Sequence, residues 1–384
     1  MYIRQLSVAN YRSLKNVSIG SLSPLVVLYG NNDTGKSNVL SLLELIFRQK
    51  YFEDITEVPG GEELPPKRLG GFWRGEIDNF SDNFYQCRND PITFSINIRF
   101  HRQEIRTIRS LPKEFLNGLS ANDRFDHLLI EGQIEPIGAD RARMSLLNAQ
   151  FDQKKFYDDN LPDASKFLPE FKLNSTQARD VFDKIMGMLD GAFLRVPTGR
   201  FLSAEKEFPR SQEADLAPGS FKNWLFQASI HRNREQLFRQ VSEQFSASPF
   251  EYGRISFARA GTEEIEAFVE DQYGLKLPIG RKGTGVQQIL IILSYVAQSR
   301  SPLIGVEELE INLSPRAQTS IFDSLFRLVN TAESPIKQIF LTTHSPHIAR
   351  RDEAQRRAVF MENGETKIKR PSEAEIEGFF RFPY

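Results

Sequence analysis

Three runs of this chain carry side chains suited to phosphate chemistry. The first is GNNDTGKSN, residues 30–38. Gly30, Gly35, Lys36 and Ser37 meet the spacing G-x-x-x-x-G-K-[ST], with Asn31 and Asn32 inside the turn and Asn38 just after it. A glycine-rich turn that opens a helix gathers backbone N–H groups and the positive helix end around an anion. Lys36 can reach the β- and γ-phosphates of a nucleoside triphosphate, and the Ser37 hydroxyl can ligate Mg²⁺. The second run, PLIGVEELEINLSP, is an apolar strand that ends in two adjacent carboxylates, Glu307 and Glu308. One acid suits Mg²⁺, and the other can orient and deprotonate an attacking water. The third, QIFLTTHSPHI, leads an apolar strand into Thr342, Thr343 and His344. A histidine there can sense or stabilise a γ-phosphate.

Upstream of the acids, GRKGTGVQQILIIL makes a second glycine-rich turn into an apolar helix, with Thr284, Gly285 and Gln287 at its start. Each feature taken alone has a plainer reading: a simple glycine-rich helix start, a solvated acidic strand end, a structural histidine. Their combination with a complete phosphate loop favours chemistry.

These residues need elements to hold them. LVVLY before Gly30 reads as a buried strand, and GKSNVLSLLELIF has the apolar spacing of a helix. YIRQLSVANYRSLKNVSIGSL alternates around a turn and predicts two antiparallel strands that feed the central one. Residues 51–86, rich in Gly, Pro and acidic side chains, read as an irregular loop region. ITFSINIRF predicts a strand, and HLLIEGQIEPI with ARMSLLNAQF predicts an antiparallel pair. Residues 163–189 turn helical, AFLRVPTGRFL reads as strand and turn, and FKNWLFQASIHRNREQLFRQVSEQF as one or two helices. Residues 252–277 read as strand, helix, strand. Asn363-Gly364 between alternating residues is a two-residue hairpin turn. No repeat, low-complexity tract or long heptad array appears.

Composition narrows the class. A chain of 384 residues is long enough for two or three lobes. Its net charge of −1 gives no global basic field, so any nucleic-acid contact must be local. Arg281 and Lys282, the run containing Arg350, Arg351, Arg356 and Arg357, and KIKR are the candidate patches, with a solvated mixed-charge face as the alternative. A single cysteine, Cys87, excludes an internal disulfide framework and fits a reducing compartment. No apolar run is long enough to span a bilayer and the first residues lack a signal-peptide layout, so the expectation is a cytoplasmic protein with no membrane partner.

In this order the features resemble the ABC-class ATPase heads of the RecF, OLD and SMC-like group, within the AAA family ATPases. YIRQLSVANYRSLKNVSI looks like their opening strands, GNNDTGKS their Walker A loop, and GTGVQQ their signature motif with Thr284 for the usual serine. GVEELEINLSP is similar to their Walker B and D-loop run, and TTHSP to the switch-histidine run. Leu309 and Ser314 stand where proline and histidine are common, and Arg281 and Lys282 where small polar residues are usual. The likeness covers about the first 45 and the last 120 residues.

The resemblance implies an α/β fold: an ABC-type P-loop head with a mixed sheet, an antiparallel β subdomain and a helical insertion. It implies a lobe split between residues 1–50 and 278–384, a loop region and β subdomain over 51–162, and a mainly helical insertion over 163–277 that returns to the lobe. ATP and Mg²⁺ are the implied cofactors. Gly30, Asn31, Asn32, Gly35, Lys36, Ser37 and Asn38 would hold the nucleotide. Ser37 and Glu307 would hold the metal, Glu308 would be the base, and His344 the switch residue. Thr284, Gly285 and Gln287 would act in trans across a head-to-tail homodimer that sandwiches ATP, or across a higher assembly of dimers. The glutamine that links nucleotide to metal falls after the first helix, where no one position marks it.

Three functions compete. One is an ATP-hydrolysing sensor or scaffold controlling a separately encoded effector, a nuclease or toxin, similar to the ATPase subunits of two-gene phage-defence systems and without nuclease activity of its own. Another is a RecF-like ATP-dependent clamp on DNA. The last, a module that merely holds ATP, is disfavoured because a structural site has no need of the Glu307–Glu308 pair.

Overall fold

The computed structural model describes residues 1–47, 74–78, 80–87, 90–106, 108, 110–119, 125–137, 140–162, 165–200, 220–232, 234–260 and 264–381. The chain opens with β1 (Tyr2–Tyr11) and β2 (Leu14–Ile19), which pair antiparallel as their alternation predicts. They join a seven-stranded antiparallel sheet with β4 (Arg74–Asp78), β5 (Ile92–His101), β6 (Phe125–Pro136), β7 (Arg141–Phe151) and β8 (Lys154–Asp158), in the order β2-β1-β5-β6-β7-β4 with β8 beside β7. β4 is a strand inside the stretch expected to be irregular; the preceding residues 51–73 lie outside the described ones. The short helices α2 (Arg102–Arg106) and α3 (Lys113–Gly118) connect β5 to β6.

The second sheet holds the chemistry-bearing runs. Its order is β16-β15-β3-β14-β13-β9, from β3 (Leu25–Tyr29), β9 (Phe193–Val196), β13 (Leu303–Val306), β14 (Gln338–Thr343), β15 (Gln355–Glu362) and β16 (Glu365–Lys369). All neighbours are parallel except the β15–β16 hairpin. Asn363 and Gly364 both take positive φ there, 53° and 77°, as a type I′ turn requires. β9 lies within the stretch that the sequence assigns to the insertion, yet it pairs with β13 at the sheet's edge.

Every residue of β3 is buried because both faces are covered. Val26 and Leu28 join the core that contains α1 (Lys36–Phe47), α4 (Ser175–Gly187) and the antiparallel sheet. Leu25, Val27 and Tyr29 face the other way, into the core built from α5 (Phe221–Ile230), α6 (Glu235–Ser246), α7 (Thr284–Gln298) and α8 (Pro315–Asn330). Phe379 and Phe380 of α10 (Glu373–Arg381) close on the Tyr29 ring, with centroids 5.4 and 5.9 Å away. The single turn α9 (Pro346–Ala349) follows β14.

A further element, besides β4, differs from its expectation. The helix expected within residues 252–277 is instead a strand, β11 (Glu264–Glu270), between β10 (Arg254–Ala260) and β12 (Lys276–Pro278) in a three-stranded antiparallel sheet. Ile265, Ala267 and Val269 are buried while Glu266, Phe268 and Glu270 are more open, a period of two set by packing against α5.

Gln338 ties the two large sheets together. Fully buried, it accepts from the Ile3 amide at 2.8 Å and donates to the Ile3 and Ser23 carbonyls, each at 2.9 Å. Gln338→Leu removes the partner of three main-chain groups at a buried joint, at roughly 1–3 kcal/mol each where no substitute is found. The expected loss of stability in a denaturant titration is about 3 kcal/mol or more; a loss below about 1 kcal/mol would show that the joint does not depend on it.

Candidate nucleotide site

The site forms where the carboxyl ends of parallel strands meet, the usual crevice of an open α/β sheet. The loop after β3 is pressed from behind. A Cβ on Gly30 would lie 2.0 Å from the Val359 carbonyl oxygen, and one on Gly35 would lie 2.2 Å from Thr366 Oγ1 and 2.7 Å from Ser13 Oγ. Gly35 also takes φ +95°, open to glycine at little cost. Thr366, fully buried on β16, donates to the Thr34 carbonyl at 2.9 Å, and Thr34 Oγ1 donates to the Asn31 carbonyl at 3.0 Å.

Lys36 is the first residue of α1, and its Nζ donates to the carbonyls of Gly30 at 3.0 Å and Asn31 at 2.7 Å. Ser37 follows, half-buried, and the first turn carries no acid to oppose an anion. Asn31 and Asn32 are exposed on the loop. The Asn38 side chain is engaged elsewhere, donating to Ser13 Oγ at 2.8 Å and accepting from Arg12 at 3.3 Å, so it braces the loop.

The two adjacent acids after β13 diverge. Glu307 is buried and paired with Arg195 of β9 at 2.8 Å; Arg195 also bonds Glu44 at 3.2 Å and Ser41 at 2.9 Å, both on α1. Glu308 takes φ +41°, and its amide donates to Thr342 Oγ1 at 2.9 Å. Its carboxylate is partly exposed, 3.9 Å from His344 Nε2. The two acids lie just past the end of β13, and the left-handed backbone of Glu308 turns its side chain away from that of Glu307.

Glu310, a third acid absent from the sequence assignment, accepts from Thr343 Oγ1 at 2.8 Å and from the His344 amide. The run EELE contains it, but spacing alone does not say that its side chain turns back onto β14. Arg195 and Arg200 were equally illegible, since each acts across more than 80 residues. The family departures have local reasons. Leu309 is fully buried in the core, and Ser314 caps α8, accepting from the Ala317 amide at 3.3 Å ahead of Pro315.

The structure thus gathers Lys36, Glu308, Glu310 and His344 within electrostatic reach. Burial, only partly offset by Glu308, Glu310 and Asp33, lowers the Lys36 ammonium to about 8. Burial and then the Lys36 charge lower His344, against Glu310, Glu308 and a bond to the Gly30 backbone. His344 is therefore neutral at pH 7 and able to exchange a proton or a hydrogen bond.

The second glycine-rich turn is placed differently. Thr284 is exposed at the start of α7, and a Cβ on Gly285 would lie 2.6 Å from the Asn312 carbonyl oxygen, just past the acids. Gln287 folds back to the Lys282 carbonyl at 3.1 Å. Of the basic run, Arg350 pairs with Glu377, Arg351 with Asp323 and Glu353, and Arg356 with Asp352 and Glu373, while Arg357 donates to the Gly20 carbonyl. This is the mixed-charge face rather than a bare cationic stripe.

Comparison with known proteins gives the family and the fold. The chain belongs to the family described as "AAA domain, putative AbiEii toxin, Type IV TA system", whose model matches residues 25–350. Among solved structures it is similar to an Smc head bound to the C-winged helix domain of ScpA, at 14% identity over 98% of this chain and 99% of that one, with a TM-score of 0.51. An Smc head with an extended coiled coil bound to the C-terminal domain of ScpA from Pyrococcus furiosus matches at 12% identity over 98% of both chains, TM-score 0.48. The SMC head domain from Thermotoga maritima matches at 12% identity over 97% of this chain and 100% of that one, TM-score 0.44. No curated protein matches the chain. The fold is that of an ABC-type P-loop ATPase head, and the family is one of AAA ATPases. Among the described residues no helix is long and apolar enough to cross a membrane.

The Lys36 environment sets a pH dependence. A phosphate needs the ammonium form. Below about pH 8 Lys36 is already charged, so nucleotide affinity is flat; above it, binding must take up a proton and weakens by up to about tenfold per pH unit. Calorimetric affinities from about pH 6.5 to about 9.5 test this. Constant affinity across that range would return Lys36 to the ordinary lysine value.

Proposed function

Starting from an ABC-class ATPase head, we propose that two copies of this chain sandwich ATP and hydrolyse it, and that the ATP state controls a separately encoded effector. The carrying observation is the convergence of Lys36, Glu308, Glu310 and His344 at the ends of β3, β13 and β14. Lys36 and the amides of residues 30–38 hold the β- and γ-phosphates, and Asn31 and Asn32 line the opening. The Ser37 hydroxyl and Glu307 carboxylate are hard oxygen donors of the kind Mg²⁺ takes; Arg195 engages Glu307 Oε1, so Oε2 is the oxygen that would serve the ion or a water bound to it. When bound, Mg²⁺ neutralises phosphate charge.

Glu308 takes a proton from water as the water oxygen bonds to the γ-phosphorus and the bond to the β-phosphate oxygen breaks, leaving ADP and phosphate. Glu308 is suited to this because its carboxylate is open and faces His344, whereas Glu307 is buried on Arg195. Neutral His344 can donate to the γ-phosphate without repelling Lys36. Thr284 and Gly285, exposed or half-exposed on the signature turn, reach the partner's nucleotide; Gln287 shapes that turn through the Lys282 carbonyl.

The family description names a toxin–antitoxin setting for the domain, which is loosely compatible with control of a toxic output; it applies the word toxin to the domain itself. Related heads bound to ScpA domains show the same fold carrying a partner protein. A DNA clamp is less well supported, because the arginines of residues 350–356 spend their charge on carboxylates.

Lys36→Ala is expected to abolish ATP binding, and normal affinity in that variant would remove the nucleotide reading altogether. Glu308→Gln is expected to retain ATP, slow turnover by about 10²–10⁴-fold and accumulate a dimer. Wild-type turnover in this variant would refute the assignment of the base. The native mass of the complex from its host, with and without ATP, tests the partner: a stoichiometric second chain supports effector control, and a lone dimer that binds DNA refutes it.

A further inference from the structure

Arg200 is buried completely, and among the described residues none of its hydrogen bonds reaches a carboxylate. Burying a guanidinium is costly unless its donors are well used. Here they are directed at main-chain oxygens: Nη1 donates to the Glu307 carbonyl at 3.0 Å and Nη2 to the Glu308 carbonyl at 2.9 Å. Nε donates to Gln288 Oε1 at 2.5 Å, and Gln288 Nε2 returns a bond to the Arg200 carbonyl at 2.7 Å. Gln288 is also fully buried and sits on α7, the helix that starts at the signature turn.

The other end of the clamp is Thr342. It accepts from the Glu308 amide at 2.9 Å, so both the N–H and C=O of this one residue are held. Glu308 needs such holding. Its φ of +41° lies in the left-handed region, which a residue with a Cβ keeps only when its surroundings enforce it. The direction of the Glu308 side chain follows from that backbone, and with it the 3.9 Å approach to His344.

We infer that Arg200 is a positioning residue for the catalytic base: through the carbonyls of Glu307 and Glu308 it holds Glu308 in its hydrolytic orientation, and through Gln288 it ties that orientation to the signature helix of the same chain. The inference rests on Glu308 being the base. It makes the signature turn part of the machinery of its own chain's acid, in addition to its role toward the partner's nucleotide. A planar fork is required, because an ammonium cannot serve two carbonyls and a side-chain amide in one plane.

The test is turnover and ATP affinity for Arg200→Lys and Gln288→Met, each alone and combined with Glu308→Gln. Arg200→Lys is expected to lower kcat about 10- to 100-fold with ATP affinity within about twofold. In the Glu308→Gln background it should cause no further loss, since it acts only through that carboxylate. Gln288→Met nearly conserves volume and leaves the two carbonyl bonds available. It should lower kcat several-fold, again only when Glu308 is present, and it carries the test if Arg200→Lys does not fold. Losses that multiply with Glu308→Gln, a matching fall in ATP affinity, or wild-type kcat in Gln288→Met would overturn the inference. Failure of the underlying reading shows separately, as wild-type turnover in Glu308→Gln alone, and would take this inference with it.

Discussion

The register of three adjacent parallel strands governs the site. Thr343 pairs with Tyr29, and Leu341 pairs with Val306. The next residues along each strand are therefore level: His344 stands beside Gly30, and Glu307 and Glu308 emerge beside Thr342 and Thr343. A slip of one residue in β14 would turn His344 to the opposite face and remove the Thr342 hydroxyl from the Glu308 amide. The two cores on either side hold the register, because each residue of β3 and β14 has a buried place to fill.

With the strand ends aligned, charge is divided by position. Glu307 is neutralised by Arg195, which also bridges to α1, so the helix carrying Lys36 and the strand carrying the acids are joined behind the site. Glu308 is left open toward His344 and Lys36. Glu310 is spent on the β14 exit, where it fixes Thr343 and the His344 amide. Three acids within four residues thus serve one ion pair, one open carboxylate and one structural anchor. The hairpin β15–β16 presses on the back of the phosphate loop through Val359 and Thr366, which explains why bulk is excluded at Gly30 and Gly35.

Much of this was legible from short-range patterns. The phosphate loop, the paired acids and the threonine–histidine run each lie at the end of an apolar segment, and each segment is a strand of one sheet. The Asn363-Gly364 turn followed from its two residues alone. β11 stands where a helix is expected: glutamates are compatible with a helix locally, whereas burial of Ile265, Ala267 and Val269 on one face decides for a strand. Arg195, Arg200 and Gln338 gave no signal, because each is defined by partners far away in the chain.

By itself the sequence determined the phosphate loop, the order of the runs and the α/β class, since these depend on turn chemistry and apolar periodicity within about a dozen residues. Only the tertiary structure decided which acid faces the opening, which arginines hold it there, and that β1 and β2 belong to the antiparallel sheet. The physical reason is that strand pairing and burial couple residues hundreds of positions apart, as Ile3 is coupled to Gln338, and no local pattern encodes that separation.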